Sequence, residues 1–262
     1  MEAEGYGGVV RNDGSVRHML LANNGANDSS LKIRDMKAPP DAMLGTFQLT
    51  KANIESIKKW VESKWQEKHT EEKPAFHPST FAITSAYTWV CLIKTQKLTT
   101  ENVHLAFIVD CRARLEPPIP STYFGNCITC CIIDADTNKC MEEDGVAIAA
   151  WAIAEPIGGL DDGVLKGAKE LIPNYLSRLK DGDFVSSIAG SPRFELYKTD
   201  VGWGRPSKVE MVSIVKSGAS YLSDSRDGNG GIEIGVVLKK HETEAFASMF
   251  ASGLEYYQVR EN

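Results

Sequence analysis

The chain has 262 residues, 42% of them hydrophobic and 24% charged, which is enough apolar material for a substantial buried core. Its formal net charge of −6 argues against nucleic acid or an anionic membrane surface as a partner, because both require basic patches. No apolar run is long enough to span a bilayer and the first residues lack a charged-then-apolar secretory pattern, so a soluble, cytoplasmic chain is expected.

Residues 1–44 read as an irregular leader. Gly5, Gly7, Gly8, Asn12, Asp13 and Gly14 punctuate short apolar stretches, residues 23–30 are small and polar, and Ala38-Pro39-Pro40-Asp41 bars regular structure. A short strand is expected over 46–49. Thr50 can cap the helix after it, in which Ile54, Ile57, Val61 and Trp65 recur at helical spacing. A polar loop over 66–78 carries Lys73 and ends in proline, and Ser79 or Thr80 then caps a largely apolar helix to about Lys97. Residues 104–110 form a nearly continuous apolar run, predicting a buried strand, and 123–134 predict another. Asp144 would cap a helix over 146–154, and Asp161 or Asp162 one running to Leu179. Residues 209–214 and 232–238 are strand-like, 226–231 suit a hairpin turn, and a helix from Glu242 to about Ser252 closes the chain. Helices and strands alternate irregularly, which favours a mixed α/β sheet over a bundle.

The six cysteines are Cys91, Cys111, Cys127, Cys130, Cys131 and Cys140. Cys127-x-x-Cys130 could present two thiolates to a metal, but a second ligand pair is lacking. Ile128, Ile132 and Ile133 beside it favour reduced, buried small side chains in a strand.

The most distinctive stretch is Tyr197-Lys198-Thr199-Asp200-Val201-Gly202-Trp203-Gly204-Arg205-Pro206. Gly202 and Gly204 can take positive φ, so Trp203 can sit in a tight bend. A carboxylate facing a buried tryptophan needs a partner. Arg112 and Arg114, alternate residues of one segment, are the candidates to fork onto Asp200. Ser79 and Thr80 open a helix, whose N–H groups suit anionic oxygens, and plain capping is the alternative. Asn126, after Phe124-Gly125, is a turn-type residue.

Asp200-Val201-Gly202-Trp203-Gly204 resembles the Asp-Phe-Gly-Trp-Gly signature of the plant BAHD acyl-CoA-dependent acyltransferases, with Val201 in place of phenylalanine. Three further blocks match that family in the same order. They are Ser79-Thr80-Phe81 through Tyr87, Trp89 and Cys91; Val109 through Pro118 with Tyr123 to Asn126; and Ser223-Asp224-Ser225-Arg226-Asp227-Gly228 with Gly230 to Gly235, His241 and Glu242. Together they cover about residues 45–255 and look most like the anthocyanin and phenolic-glucoside malonyl- and hydroxycinnamoyl-transferases.

The resemblance implies a chloramphenicol-acetyltransferase-like, mixed α/β domain over 45–262, the C-terminal half of a two-domain fold, with residues 200–220 packing on the N-terminal domain. It implies acyl-CoA as co-substrate, a phenolic glycoside as acceptor, and no permanently bound cofactor or metal. Ser79, Thr80, Lys73 and Asn126 are the expected CoA contacts. Asp200, Gly202, Trp203 and Gly204 with Arg112 and Arg114 form the structural motif, Trp203 lying near the acceptor channel or packed in the core. The family's general base is the histidine of a His-x-x-x-Asp motif. His18, His69, His77, His104 and His241 are followed four positions on by Ala22, Lys73, Phe81, Ile108 and Ala245, so no catalytic residue is assigned in this chain. The expectation is an acyltransferase by descent, the C-terminal half of the enzyme and inactive alone. The alternative is a non-catalytic half-enzyme that binds CoA or another polypeptide.

Overall fold

The computed structural model describes residues 41–68, 77–168, 170–180 and 184–259; Lys73 and residues 1–40 lie outside them. Strand β1 (Ala42–Leu49) starts ahead of the expected Thr46. Helix α1 (Lys51–Lys68) follows, and Thr50 caps it as anticipated. The Asn53 N–H donates to Thr50 Oγ1 at 3.1 Å while the Thr50 N–H donates to Asn53 Oδ1 at 3.0 Å, a capping box with asparagine in the reciprocal position. Ser79 is the cap of α2 (Thr80–Gln96), accepting from the Ala82 N–H at 3.2 Å, and Lys97 ends the helix in the left-handed region at φ 49°.

The chain continues through β2 (Asn102–Asp110), β3 (Ile128–Asp136), α3 (Thr137–Met141), α4 (Gly145–Gly159), α5 (Leu171–Lys180), β4 (Phe184–Ala189), α6 (Ile214–Ser217), β5 (Ser220–Asp224), β6 (Ile232–Lys239) and α7 (Lys240–Val259). The strands form one mixed sheet in the order β1-β6-β5-β4-β2-β3. Strands β2, β4 and β5 run parallel, so their carboxyl ends, at Asp110, Ala189 and Asp224, lie at one end of the sheet. Strand β3 is antiparallel to β2, β6 to β5, and β1 to β6.

Alternation along the strands divides their side chains between two faces. Leu105 and Phe107 of β2, Cys131 and Ile133 of β3, Leu222 of β5, and Ile234 and Val236 of β6 join the main core with α1, α2, α4 and α7. Helix α2 is buried from Ala82 to Ile93, including Thr84, Ser85 and Thr88, because it is the middle element of that layer. Trp89, Tyr87 and Phe246 are fully buried there, each removing apolar surface from water worth about 2–3 kcal/mol. The second face carries a smaller cluster of Ile214, Ala219 and Tyr221, with Leu44, Ala189, Met211 and Val237 against it. Arg178 fastens α5 to that face, donating from Nε to Asp134 Oδ1 at 2.8 Å, and His104 Nδ1 lies 2.7 Å from the same oxygen. Arg178 above all, then His104, holds the Asp134 carboxyl below the usual carboxylate range.

Several expectations change. Residues 123–126 are exposed and, with the half-buried Cys127, lie outside β3; only from Ile128 does the chain pair with β2. Residues 209–214 are irregular and lead into α6, not a strand, whereas β4 and β5 were not anticipated. Both are short and serine-bearing, yet Ser186, Ser220 and Ser223 are buried because neighbouring strands flank them. Asp161 and Asp162 sit in a 3-10 turn and cap no long helix, since Gly163 at φ 138° breaks the chain before α5 begins at Leu171. Asp144 stands at the start of α4 but its carboxylate makes no cap bond; Lys64 and Lys68 take it instead, at 3.6 and 3.7 Å. Among the described residues, no helix is long and apolar enough to cross a membrane.

Tyr221 faces Gly235 directly across the β5–β6 pair, and a Cβ at Gly235 would lie 1.8 Å from Tyr221 Cε1. The ring occupies the space a side chain would need. Gly235→Ala is therefore expected to destabilise the fold by roughly 1–3 kcal/mol in urea unfolding, through overpacking that a rotamer change cannot relieve cheaply. Unchanged stability would mean that the ring does not lie over this glycine.

Candidate functional site

In open α/β sheets, ligands bind beyond the carboxyl ends of parallel strands, and here that end gathers most of the residues singled out in the sequence. Phe81 packs edge-on against Phe107 near the end of β2, centroids 5.0 Å apart, which brings the Ser79–Thr80 helix start to the same end. Both residues are exposed. The Ser79 oxygen is already engaged as a cap, and its O–H is a donor at the N-terminus of a long helix.

Beyond β4, Gly190 turns at φ 73°, and a Cβ there would meet the Leu222 carbonyl at 2.7 Å, so only glycine fits. Two 3-10 turns follow, Pro192–Phe194 and Leu196–Lys198. The second is tied to the sheet by the carboxylate at the end of β5: Asp224 accepts from the Leu196 N–H at 2.8 Å and from the Tyr197 N–H at 3.3 Å. The Tyr197 hydroxyl donates to Glu233 Oε2 at 2.7 Å and accepts from the Val209 N–H at 3.1 Å. The Val209 carbonyl in turn accepts from the Tyr221 hydroxyl at 3.3 Å. Both ends of the 198–208 excursion are thus held by one buried phenol. Burial first, and the Glu233 carboxylate next, push that phenol up to about 12.

Within the excursion, Asp200 Oδ1 accepts from the Gly202 N–H at 2.8 Å and the Gly204 N–H at 3.1 Å. The two glycines stand at φ 94° and 91°, in the left-handed region as anticipated. Other expectations for this motif change. Asp200 is exposed and Trp203 is 94% exposed, so the tryptophan is not a core residue and the carboxylate is not buried against it. Arg112 and Arg114 do not fork onto Asp200. Arg112 donates to Asp110 Oδ1 at 2.9 Å and to the Gly125 carbonyl at 2.6 Å, and Arg114 pairs with Asp161 at 3.1 Å. The physical reason is that the turn's own amides satisfy Asp200 locally, while the arginines sit in a 3-10 turn after β2 and brace their own loop.

Asn126 is exposed in that loop, next to the Gly125 carbonyl held by Arg112. Tyr197, Asp224 and Glu233 anchor the turn, a role that sequence reasoning did not assign them. Glu233 was the available signal: it alternates with the inward Ile232 and Ile234, so it points to the opposite face of β6, where a carboxylate is out of place unless it has a donor. Cys91, Cys111, Cys131 and Cys140 are buried and Cys127 and Cys130 half-buried, all as thiols. Among the described residues, no group of three or more His, Cys, Asp or Glu is placed to hold a metal ion.

Comparison with known proteins bears on the same residues. A profile described as the Transferase family matches residues 17–252. Phenolic glucoside malonyltransferase 1 of Arabidopsis thaliana is 36% identical over 233 residues, covering 87% of this chain and 50% of that protein. The Arabidopsis thaliana coumaroyl-CoA:anthocyanidin 3-O-glucoside-6''-O-coumaroyltransferase 2 is 34% identical over 88% of this chain and 50% of its own length. Among solved structures, F. graminearum TRI101 complexed with coenzyme A and deoxynivalenol superposes with a TM-score of 0.59 at 14% identity, over 80% of this chain and 48% of that one. That likeness is one of fold. The chain spans about half the length of the curated relatives it matches.

Tyr197→Phe removes the donor to Glu233 and the acceptor of the Val209 N–H, so it should cost about 1–3 kcal/mol of stability near neutral pH. An unfolded tyrosine ionises near its ordinary value of 10. The folded phenol ionises higher, so its contribution is complete below that value and is lost as pH rises toward about 12. The difference in unfolding free energy between wild type and Tyr197→Phe should shrink over this window. A difference independent of pH would show that the phenol's proton is not what holds the turn.

Proposed function

The chain belongs to the Transferase family, the BAHD acyl-CoA-dependent acyltransferases, and on that footing we propose that it is the C-terminal half of an enzyme acylating phenolic glycosides. The donor is a malonyl- or hydroxycinnamoyl-CoA, the acceptor a sugar hydroxyl of a phenolic glycoside such as an anthocyanin, and the setting the cytosol. The observation that carries this reading is the identity to glucoside malonyl- and coumaroyl-transferases over nearly all of the chain, with its Asp200–Gly204 turn held beyond the carboxyl ends of the parallel strands.

In this reading Ser79 and Thr80 at the start of α2, with Lys73 and Asn126, meet the phosphates and arm of acyl-CoA, and Trp203 forms part of the acceptor wall. A histidine from polypeptide outside this sequence takes the alcohol's proton. The alcohol oxygen attacks the thioester carbonyl, a tetrahedral oxyanion forms, and the C–S bond breaks to release CoA thiol. Residues 200–220 pack on the remainder of the enzyme. The support for that contact is an exposed apolar group at this end of the sheet: Phe124, Phe194, Val201, Trp203 and Val212 are all more than half exposed.

The test is an acyl-transfer assay with malonyl-CoA and coumaroyl-CoA on flavonoid and anthocyanin glucosides. The chain alone should give no product. Co-expression with the N-terminal half of a phenolic glucoside malonyltransferase, which carries the His-x-x-x-Asp motif in this reading, should restore transfer, and Trp203→Ala should reduce it. Turnover by the chain alone would overturn the assignment of the base to another segment. Calorimetric titration of the isolated chain with CoA separates a competent half-site from one that binds nothing.

A further inference from the structure

We propose that Cys111 and Cys127 are a redox modification site, a cross-strand thiol pair that exchange with oxidised glutathione closes into a disulfide at the neck of the 111–127 arch. The register of the β2–β3 pair carries the proposal. The ladder ends at Asp110 opposite Ile128, and one step beyond it the Cys111 N–H donates to the Cys127 carbonyl at 2.9 Å, while the Cys111 carbonyl turns away to accept from the Arg114 and Leu115 N–H groups. The Cys111–Cys127 hydrogen bond, with standard covalent lengths on either side of it, holds the two Cα atoms within about 6.8 Å of each other, inside the roughly 4.4–6.8 Å that a disulfide spans. The two thiols also feel one another: after burial, Cys127 is the next cause pushing the Cys111 thiol up to about 11.

Their accessibilities divide the chemistry. Cys127 is half-buried and meets glutathione first, whereas Cys111 is only 1% exposed. The Cys127 thiolate attacks one sulfur of the oxidised glutathione, forming a mixed disulfide and releasing one glutathione thiolate. The Cys111 thiolate then attacks Cys127 Sγ and displaces the second glutathione. Two protein thiols are oxidised, one glutathione disulfide is reduced to two thiols, and the two protons lost from the cysteines go to the departing glutathiones. Cys130 and Cys131 are poorer partners. Cys130 stands opposite Ile108 on the other face of the pair, and Cys131 lies four rungs further in, opposite Phe107.

The consequence is mechanical. The arch presents Phe124 and Asn126 at the carboxyl end of the sheet and is braced internally by Arg112 on the Gly125 carbonyl. A covalent bond between residues 111 and 127 fixes both feet of the arch and adds to the hydrogen bond from the Cys111 N–H to the Cys127 carbonyl. In the cytosolic setting proposed above, the disulfides that do form are in the main transient and redox-sensing, which matches a reversible bond of this kind.

The test uses the chain as it stands, equilibrated in glutathione buffers from fully reduced to fully oxidised, alkylated with iodoacetamide and digested with trypsin. Wild type and Cys130→Ser in oxidised buffer should show the peptide ending at Arg112 joined to the one from Leu115 to Lys139; Cys111→Ser and Cys127→Ser should lose that link. The oxidised wild type should melt roughly 5 °C or more above the reduced form, with no such shift in Cys127→Ser. A link that survives Cys127→Ser, a wild type that stops at the glutathione adduct, or no linked peptide at any ratio would overturn the proposal. Because Cys111 is buried, the half-buried Cys127→Ser variant keeps the test decisive even if Cys111→Ser fails to fold.

Discussion

The Tyr197 hydroxyl is bound on both sides, to a carboxylate on β6 and by a backbone amide twelve residues downstream, and the Asp200–Gly204 turn lies between those two positions in the chain. A loop of this length with an exposed tryptophan has little apolar contact of its own to hold it. What orders it is polar: Asp224 on the amides at its start, Tyr197 at start and finish, and Tyr221 on the Val209 carbonyl. These groups come from strands β5 and β6, so the geometry of the turn is inherited from the pairing of the sheet. A displaced β5 would move Asp224 and Tyr221 together and leave the turn without either anchor.

The sheet is built asymmetrically. One face is closed by four helices, with α2 buried along most of its length, and it carries the bulk of the hydrophobic stabilisation. The other face is covered in patches, by α6 over Tyr221 and by α5 through Arg178 and Asp134. Ile108 and Ile128 near the carboxyl end remain at least half exposed, and Phe124, Val201 and Trp203 beyond it are more exposed still. These exposed apolar side chains lie toward the end of the sheet that also carries the signature turn and the start of α2.

Much of the fold was legible in the chain. Helices α1 and α2 and strands β2 and β6 followed from periodicity and apolar runs, and Thr50 and Ser79 from cap chemistry, because those signals are local. Strands β4 and β5 were not legible: Phe184–Ala189 and Ser220–Asp224 are short and serine-bearing, and their strand character comes from neighbours supplied by distant sequence. The partner of Asp200 was missed for the opposite reason. Long-range charge pairing with Arg112 or Arg114 was expected, but an aspartate two residues before a glycine can satisfy itself on adjacent amides, and exposure removes any need for an ion pair.

By itself the sequence determined the chemistry of the turn, since only glycine tolerates the positive φ at positions 202 and 204, and it determined the family through four ordered blocks. It also determined that none of its histidines begins a His-x-x-x-Asp motif. Only the tertiary structure decided that Asp224, Tyr197 and Glu233 meet, that Trp203 faces outward, and that the Cys111 N–H reaches the Cys127 carbonyl. Each of those depends on strand register, which sums many weak pairings along the sheet and has no single residue that spells it out.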